Sequence, residues 1–193
     1  MAAATLFRQQ GYHGTALNDI LDAGGSPRGS LYFHFPKGKE EIGEAALGFV
    51  AEQARGAIAN AAETSASAAE FLTRITDHMA AELERSGFKE GCPVAGVAVD
   101  TAAQSEVLGA AARGAFQLWE REIGRGLERF GMAPGKADRV AIMVLSQIEG
   151  ALLLARTYQS LEPLRRARDA VRLLAAGQKV RRAPRWPERG RCR

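Results

Sequence analysis

A short run of hydrogen-bonding side chains, residues 26–34, carries the most informative chemistry in this sequence. Within it, Ser26, Arg28, Ser30 and Tyr32 stand at every second position. An arginine can donate two parallel hydrogen bonds to guanine, and hydroxyl groups can reach bases or phosphates. These residue types in this pattern point to nucleic-acid binding.

Further polar residues follow this run. His34 can donate a hydrogen bond to phosphate or cap a helix structurally, and Tyr32 can pack its ring in the core while its hydroxyl reaches outward. Lys37 and Lys39 stand at the start of the next predicted helix, where their ammonium groups suit phosphate oxygens. A rigid scaffold must present all of these groups on one surface.

Two short helices around a glycine pair are predicted to form that scaffold. Thr15 suits the N-cap of a helix over residues 16–23, which ends at Gly24-Gly25. Ser26 suits the cap of a second helix, with Pro27 at its first position. Helix, sharp turn and helix together predict a helix-turn-helix. Five apolar residues are expected to fill the wedge between the helices: Leu17, Ile20, Leu21, Leu31 and Phe35.

Residues 15–40 also hold a motif of fixed spacing. Its positions are Thr15, Ala23-Gly24, Gly29, Leu31, Tyr32, His34, Phe35 and Lys39-Glu40. This pattern resembles the DNA-binding domain of the tetracycline-repressor (TetR/AcrR) family, although Gly25, Leu21 and the extra residue in Lys37-Gly38 depart from it. That extra residue, with GCPVAGVAVD at 91–100 and EGALLLAR at 149–156, is similar to the LmrA/YxaF-like subgroup.

The resemblance implies a homodimeric transcriptional repressor that binds an operator in double-stranded DNA. A small hydrophobic or aromatic effector would release it. The implied fold is all-α, with an N-terminal helix-turn-helix DNA-binding domain at residues 1–46, whose first helix is expected to be truncated at Met1. A C-terminal helical ligand-binding and dimerisation bundle is expected at 47–177, followed by a tail at 178–193.

The resemblance also assigns roles within the DNA-binding segment. Arg28 and Ser30 would read bases from a recognition helix, and the hydroxyl, imidazole and ammonium groups around them would contact phosphates. The complete candidate DNA-binding set is Thr15, Ser26, Pro27, Arg28, Gly29, Ser30, Tyr32, His34, Lys37 and Lys39.

Apolar residues recur at helical spacing through the rest of the chain. Residues 94–101 are too short and too rich in small residues to assign. Large side chains in the predicted helices are ordinary core on first principles, but the resemblance places a small-molecule pocket among them. The candidate ligand-binding residues are Met79, Phe116, Trp119 and Met143. Helices are predicted over about 2–10, 36–62, 68–85, 105–130, 134–158 and 163–176.

One segment predicts an interface between subunits. Val140–Ala155 carries apolar residues all round the helix, which is more than one core face can use. Helices 135–158 and 163–176 are therefore expected to pair with those of a second subunit as a four-helix bundle.

Two other classes of function compete with a DNA-binding regulator. A small all-α enzyme could use Cys92 or the Asp77-His78 pair, although neither has a nucleophile–base spacing beside it. A helical interaction module would leave the 15–40 pattern unexplained. No cofactor fingerprint is present, and the three histidines lack the spacing of metal ligands. Cys92 is expected to be a buried small residue, and Glu149 to face solvent at an interface edge or meet a ligand.

Composition bounds the remaining possibilities. With 193 residues and 46% hydrophobic residues, the chain can bury a substantial core. Its longest apolar run contains Gln147 and Glu149, so no membrane span is expected. No secretion signal is expected at the start of the sequence either, and the predicted location is the cytoplasm. Residues 178–193 carry seven Lys or Arg and one Glu, a net charge of +6. Because the whole chain has a net charge of +4, residues 1–177 have a net charge of −2. This basic tail is expected to be disordered or to attract phosphate non-specifically.

Overall fold

The computed structural model describes residues 1–25, 29 and 33–175, and within these it is helical without strands. The expected all-α class is therefore confirmed. The predicted positions Ser26, Pro27, Arg28, Ser30 and Tyr32, and the tail, lie outside the described residues. The helices are α1 (Ala2–Gln10), α2 (Leu17–Gly24), α3 (Lys39–Thr64), α4 (Ala68–Arg85), α5 (Pro93–Thr101), α6 (Glu106–Arg129), α7 (Pro134–Tyr158) and α8 (Glu162–Ala175).

Local sequence signals account for most helix ends. The hydroxyl oxygen of Ser105 accepts the backbone N–H of Leu108 at 3.1 Å and caps α6. Pro134 is the first residue of α7. A backbone N–H at this position has no acceptor within the helix, so the lack of one in proline costs no helical hydrogen bond. Gly11 ends α1 with a φ of 76°, a left-handed conformation that favours glycine.

The predicted cap of α2 is wrong. The N-cap is Ala16 rather than Thr15, and the Asp19 carboxylate accepts the Ala16 N–H at 2.9 Å. Residues 94–101, which the sequence left unassigned, belong to α5, which begins at Pro93. The Cys92 sulfur caps this helix by accepting the Ala95 N–H at 3.4 Å. A sulfur cap is not among the usual signals, which explains why this helix was missed.

The core is built around the seam between α3 and α6, which pack along one another. Leu47 of α3 and Leu127 of α6 are fully buried, and each such side chain contributes about 1.5–3 kcal/mol. The indole N–H of Trp119 donates to the Ala51 carbonyl at 3.0 Å. A second cluster joins α4, α7 and α8 through Leu83, Leu152, Leu164 and their neighbours.

The proposed boundary between residues 46 and 47 falls inside α3. The N-terminal head (α1, α2 and the start of α3) and the body (the rest of the chain) therefore share one continuous helix. The head is joined to the body a second time, because α1 packs against α5.

Helix α7 is unusually apolar. By length and composition it could cross a membrane, contrary to the expectation that its apolar run is too short and too polar. A core helix passes the same test. Nine residues of α7 are buried in the protomer, where the helix packs against α6 and α8.

The seam makes a prediction about two glycines of α6. A Cβ at Gly126 would lie 2.4 Å from Cζ of the fully buried Phe71, whereas a Cβ at Gly114 meets nothing within 4 Å. We expect Gly126→Ala to lower the free energy of unfolding by about 1–3 kcal/mol through overpacking. Gly114→Ala should raise it by about 0.5–1 kcal/mol, because alanine favours the helix. Urea unfolding at matched protein concentration measures both, and equal effects would contradict this packing.

Candidate nucleic-acid interface and helical body

Apart from its N-cap, the first helix of the expected helix-turn-helix packs as the sequence predicts, and Leu31 of the expected wedge lies outside the described residues. Ile20 and Leu21 of α2 are buried, and Leu17 and Phe35 are partly buried against the same core. Gly25 ends α2 in the left-handed conformation, with φ 61° and ψ 25°. Helix α2 therefore ends at the glycine pair, which lies at the surface.

The described parts of this segment are exposed. Gly29 and His34 both lie at the surface, and nothing lies within 4 Å of where a Cβ on Gly29 would be. Phe33 is 81% exposed, and its ring meets the imidazole of His34 edge-on at 5.1 Å between centroids. Phe33 was not among the candidate residues, because a phenylalanine within an apolar run suggests core. An exposed aromatic ring beside predicted phosphate donors can pack on a sugar or a thymine methyl group.

Thr15 does not lie where the sequence predicts. Its side chain is fully buried, and its hydroxyl donates to the Gly11 carbonyl at 2.8 Å. A buried hydroxyl that already has an acceptor cannot also reach phosphate. In this conformation Thr15 fixes the turn between α1 and α2, and the expected phosphate contact is not supported.

The two lysines differ in their surroundings. Lys37 is exposed, and its backbone N–H donates to the Glu41 carboxylate at 3.0 Å. The ammonium of Lys39 lies 4.2 Å from the centre of the Tyr12 ring. Partial burial lowers the pKa of Lys39, and the carboxylates of Asp100 and Asp19 oppose that shift. Lys37 is thus the more accessible cation, while Lys39 also holds the head together by a cation–π contact.

The four candidate ligand-binding residues do not share one environment. Trp119 is buried and Phe116 half-buried, and their rings meet edge-on at 5.6 Å. Met79 is half-buried between the two core clusters. Met143, however, is 47% exposed on the outer side of α7, so its assignment to an interior pocket is wrong. Helical spacing reports which residues share a face, but not which of two apolar faces is covered.

A polar pair lies within the body. Cys92 and Glu149 are both partly buried and lie close enough for each side chain to shift the pKa of the other. Burial raises the pKa of the Cys92 thiol well above its ordinary value, and the neighbouring Glu149 carboxylate raises it further. Burial likewise raises the pKa of Glu149. Glu149 therefore does not face solvent at an interface edge, which is one of the two positions that the sequence suggests for it. A thiol with a raised pKa is a poor nucleophile, which argues against the enzyme hypothesis.

The second catalytic candidate is a solvated helix face. Asp77 and His78 of α4 are exposed, and Asp77 pairs with Arg168 at 3.4 Å. Within residues 1–25, 29 and 33–175, no group of three or more potential ligands could hold a metal ion.

The outer side of α7 and α8 carries an apolar stripe, defined by Ile142, Met143, Leu153, Leu154, Tyr158 and Leu173. The α7 members recur at helical spacing on one face. Beside them lies a half-open groove of about 530 Å³ between α7 and α8, lined by Gly150, Pro163 and others. Exposed large apolar side chains concentrated on one side of a protein in this way indicate an interaction site.

Two family descriptions match the chain. Residues 1–46 match bacterial regulatory proteins of the tetR family, and residues 68–170 match the C-terminal domain of LmrA/YxaF-like transcriptional regulators. The chain is 34% identical to the HTH-type transcriptional regulator LmrA of Bacillus subtilis over 84% of its own length and 87% of that protein. It is 33% identical to the uncharacterized regulator YxaF of the same organism, with 84% and 85% covered.

Solved structures share the fold. The regulatory protein TetR from Rhodobacter sphaeroides superposes with a TM-score of 0.80 at 22% identity, over 90% of this chain and 94% of that one. These relatives are transcriptional regulators, not enzymes.

The Cys92–Glu149 pair predicts a pH profile. In a Cys192→Ser variant, Cys92 is the remaining thiol. At pH 8 we expect iodoacetamide to alkylate Cys92 at least about ten times more slowly than it alkylates the thiol of glutathione. Glu149→Gln removes a negative charge that disfavours the thiolate, so the rise in rate should move to lower pH. Glu106→Gln, at an exposed site, is the control. Fast alkylation, or a profile unchanged by Glu149→Gln, would contradict the pairing.

Proposed function

Since the chain belongs to the TetR family of bacterial transcriptional regulators, we propose that it is a dimeric repressor released from its operator by a small hydrophobic or aromatic molecule. The observation that carries the DNA-binding part is the Gly25 turn. It follows α2, whose Ile20 and Leu21 are buried, and leads into a segment whose described residues, Gly29, Phe33 and His34, are all exposed. A helix-turn-helix presents its second helix to the major groove in this way.

Contacts to DNA divide by position. Arg28 and Ser30 read base edges, whereas Tyr32, His34 and Lys37 bind phosphates. Lys39 also contacts phosphate, but more weakly than Lys37, because its ammonium group lies over the Tyr12 ring. The exposure of Lys37 supports its role. Residues 1–177 have no excess of positive charge, so a few well-placed donors must orient the head.

The partner of the apolar stripe is a second copy of the chain. Helices α7 and α8 of two subunits would form a four-helix bundle, with a two-fold axis that presents two heads to successive half-sites. This pairing removes Leu153, which is 67% exposed in the protomer, from water. It also accounts for the apolar composition of α7 in a protein that we place in the cytoplasm without membrane contact.

The effector would bind in the body, which we assign to residues 47–177, near Met79, Phe116 and Trp119. These residues are partly or fully buried and offer aromatic and thioether surfaces. Release requires the effector to prefer the conformation whose heads no longer match the half-site spacing. A differential affinity of about 1–3 kcal/mol would change operator binding about 5- to 150-fold.

The effector hypothesis is tested by fluorescence. A chain truncated after Gly177 retains Trp119 and lacks Trp186. We expect the emission of Trp119 to change on titration with an aromatic effector, and a gel-shift at saturating effector to show weaker operator binding. Binding that changes Trp119 emission without changing operator affinity would disprove induction while leaving the pocket in place.

Loss of a base contact and loss of a phosphate contact are expected to affect DNA binding differently. Arg28→Ala should cost about 1–3 kcal/mol on the operator and relax the preference at one base pair. Lys37→Ala should weaken operator and random DNA by the same factor and reduce the salt slope by about 1. Lys136→Ala, an exposed lysine at the far end of the body, is the control. Gel-shifts on both DNAs at several salt concentrations measure this, and identical behaviour of Arg28→Ala and Lys37→Ala would refute the division.

The dimer face makes a prediction about assembly. Leu153→Glu places a carboxylate in the proposed interface, so the variant should be monomeric at micromolar concentration and bind operator poorly. Its helix content should be unchanged, because the side chain faces outward in the protomer. Val99→Glu, at an 87% exposed position on α5, should remain dimeric. Light scattering measures the mass of each variant in solution. A parent protein that is monomeric at micromolar concentration would exclude the proposed dimer.

A further inference from the structure

The C-terminal end of α1 is capped by groups from the body. The last carbonyls of a helix have no partner within it. Here the Arg8 carbonyl accepts the backbone N–H of Gly91 at 3.1 Å. The Gln9 carbonyl accepts Nη2 of Arg156 at 2.6 Å. The head is therefore attached to the body at the point where its first helix ends.

The turn after α1 is held as well. The carboxylate of Asp100, at the end of α5, accepts the backbone N–H of Tyr12 at 2.8 Å and that of His13 at 3.2 Å. A Cβ on Gly11 would lie 2.8 Å from Oδ2 of Asp100, so the close approach requires glycine there. These contacts and the two at the end of α1 restrict rotation of the head about the start of α3.

Arg156 is distinctive among these anchors because of the helix that carries it. It lies on α7, within one turn of Leu153 and Leu154 of the apolar stripe. Its guanidinium lies against Gly91, where an added Cβ would be 3.3 Å from Nη1. A single side chain thus connects the proposed dimer helix to the head without passing through α3. Its hydrogen bond to the Gln9 carbonyl is charge-assisted, which makes it stronger than a neutral one.

We propose that Arg156 is a positioning residue that fixes each head relative to the dimer helix and so sets the spacing of operator half-sites that the dimer accepts. This inference rests on the proposed function, because spacing has meaning for a dimer that binds two half-sites. With Arg156 in place, each head has a narrow range of orientations relative to the two-fold axis. Loss of Arg156 leaves the Gly91 and Asp100 contacts and the side-chain contacts of Arg8 and Gln9 with Glu82 and Glu90. These do not involve α7, and the head then samples a wider range relative to that helix.

The test compares three variants on operators of different spacing. An operator is first selected from random DNA with the parent protein, and its half-sites are then moved by −1, +1 and +2 base pairs. Arg156→Met removes the hydrogen bond and keeps much of the apolar stem. Arg156→Lys keeps the charge and one route to the Gln9 carbonyl. Arg139→Met, at an exposed position on the same helix, is the matched control.

The readout is the ratio of affinities for the selected and the altered spacings, measured by fluorescence anisotropy on proteins shown to be dimeric. We expect Arg156→Met to reduce this ratio about three- to tenfold. Arg156→Lys should recover part of the loss, and Arg139→Met should match the parent protein. Unchanged ratios in both Arg156 variants would overturn the inference. If Arg156→Met fails to dimerise, Arg156→Lys alone decides by the same ratio.

The proposed function and the role of Arg156 fail under different outcomes. A parent protein that selects no DNA, or binds as a monomer, overturns the proposed function. A parent protein that discriminates spacing, with Arg156 variants that discriminate it equally, overturns the inference and leaves the proposed function intact.

Discussion

The close packing of α3 against α6 is the constraint on which the rest of the structure depends. Near the head, a Cβ on Gly43 would lie 2.9 Å from the Leu108 side chain and 3.2 Å from the Tyr12 ring. About two turns further along the seam, the Trp119 indole N–H donates to the Ala51 carbonyl. Head and body thus share a core across one helix of 26 residues, which is about 39 Å long. A continuous helix that is packed on both sides of the domain boundary transmits displacement instead of absorbing it.

This constraint explains where function can be placed. Because α3 runs unbroken through the boundary, the described parts of the head and the body are held in one orientation relative to each other. The polar anchors from α5 and α7 strengthen that relation, since they reach backbone atoms of the head. A small change within the body can therefore change the geometry presented to DNA. The weak charge of residues 1–177 fits the same account, because placement of donors matters more than total charge.

The sequence predicted the features that follow from local chemistry. The bounds of α4 and α7 agree with the predicted ranges, because Ser67 and Pro134 mark their starts and apolar spacing continues to their ends. The turn at Gly25 was predicted for the same reason. The α5 helix was missed, because its composition is small and apolar and its cap is a sulfur.

The errors concern tertiary context. Thr15 has the residue type of a cap or a phosphate donor, but a carbonyl of the preceding turn takes its hydroxyl. Met143 and Glu149 lie on a helix that is apolar all round, so periodicity could not tell the covered face from the exposed one. Position on α7 decides that Met143 is exposed and that Glu149 meets Cys92. Cys92 and Glu149 are more than fifty positions apart, and no local pattern reports that they meet.

Hydrogen exchange along α3 tests the central claim most directly. Amides of residues 42–51 lie on both sides of the proposed boundary and should share one protection class, because a single packed helix opens as one unit. Native-state exchange followed by mass spectrometry or NMR, without DNA or effector, measures this. Uniform protection across residues 46 and 47 is the predicted result. Exchange near the boundary that is much faster than on either side would show that head and body move independently, and would contradict the account.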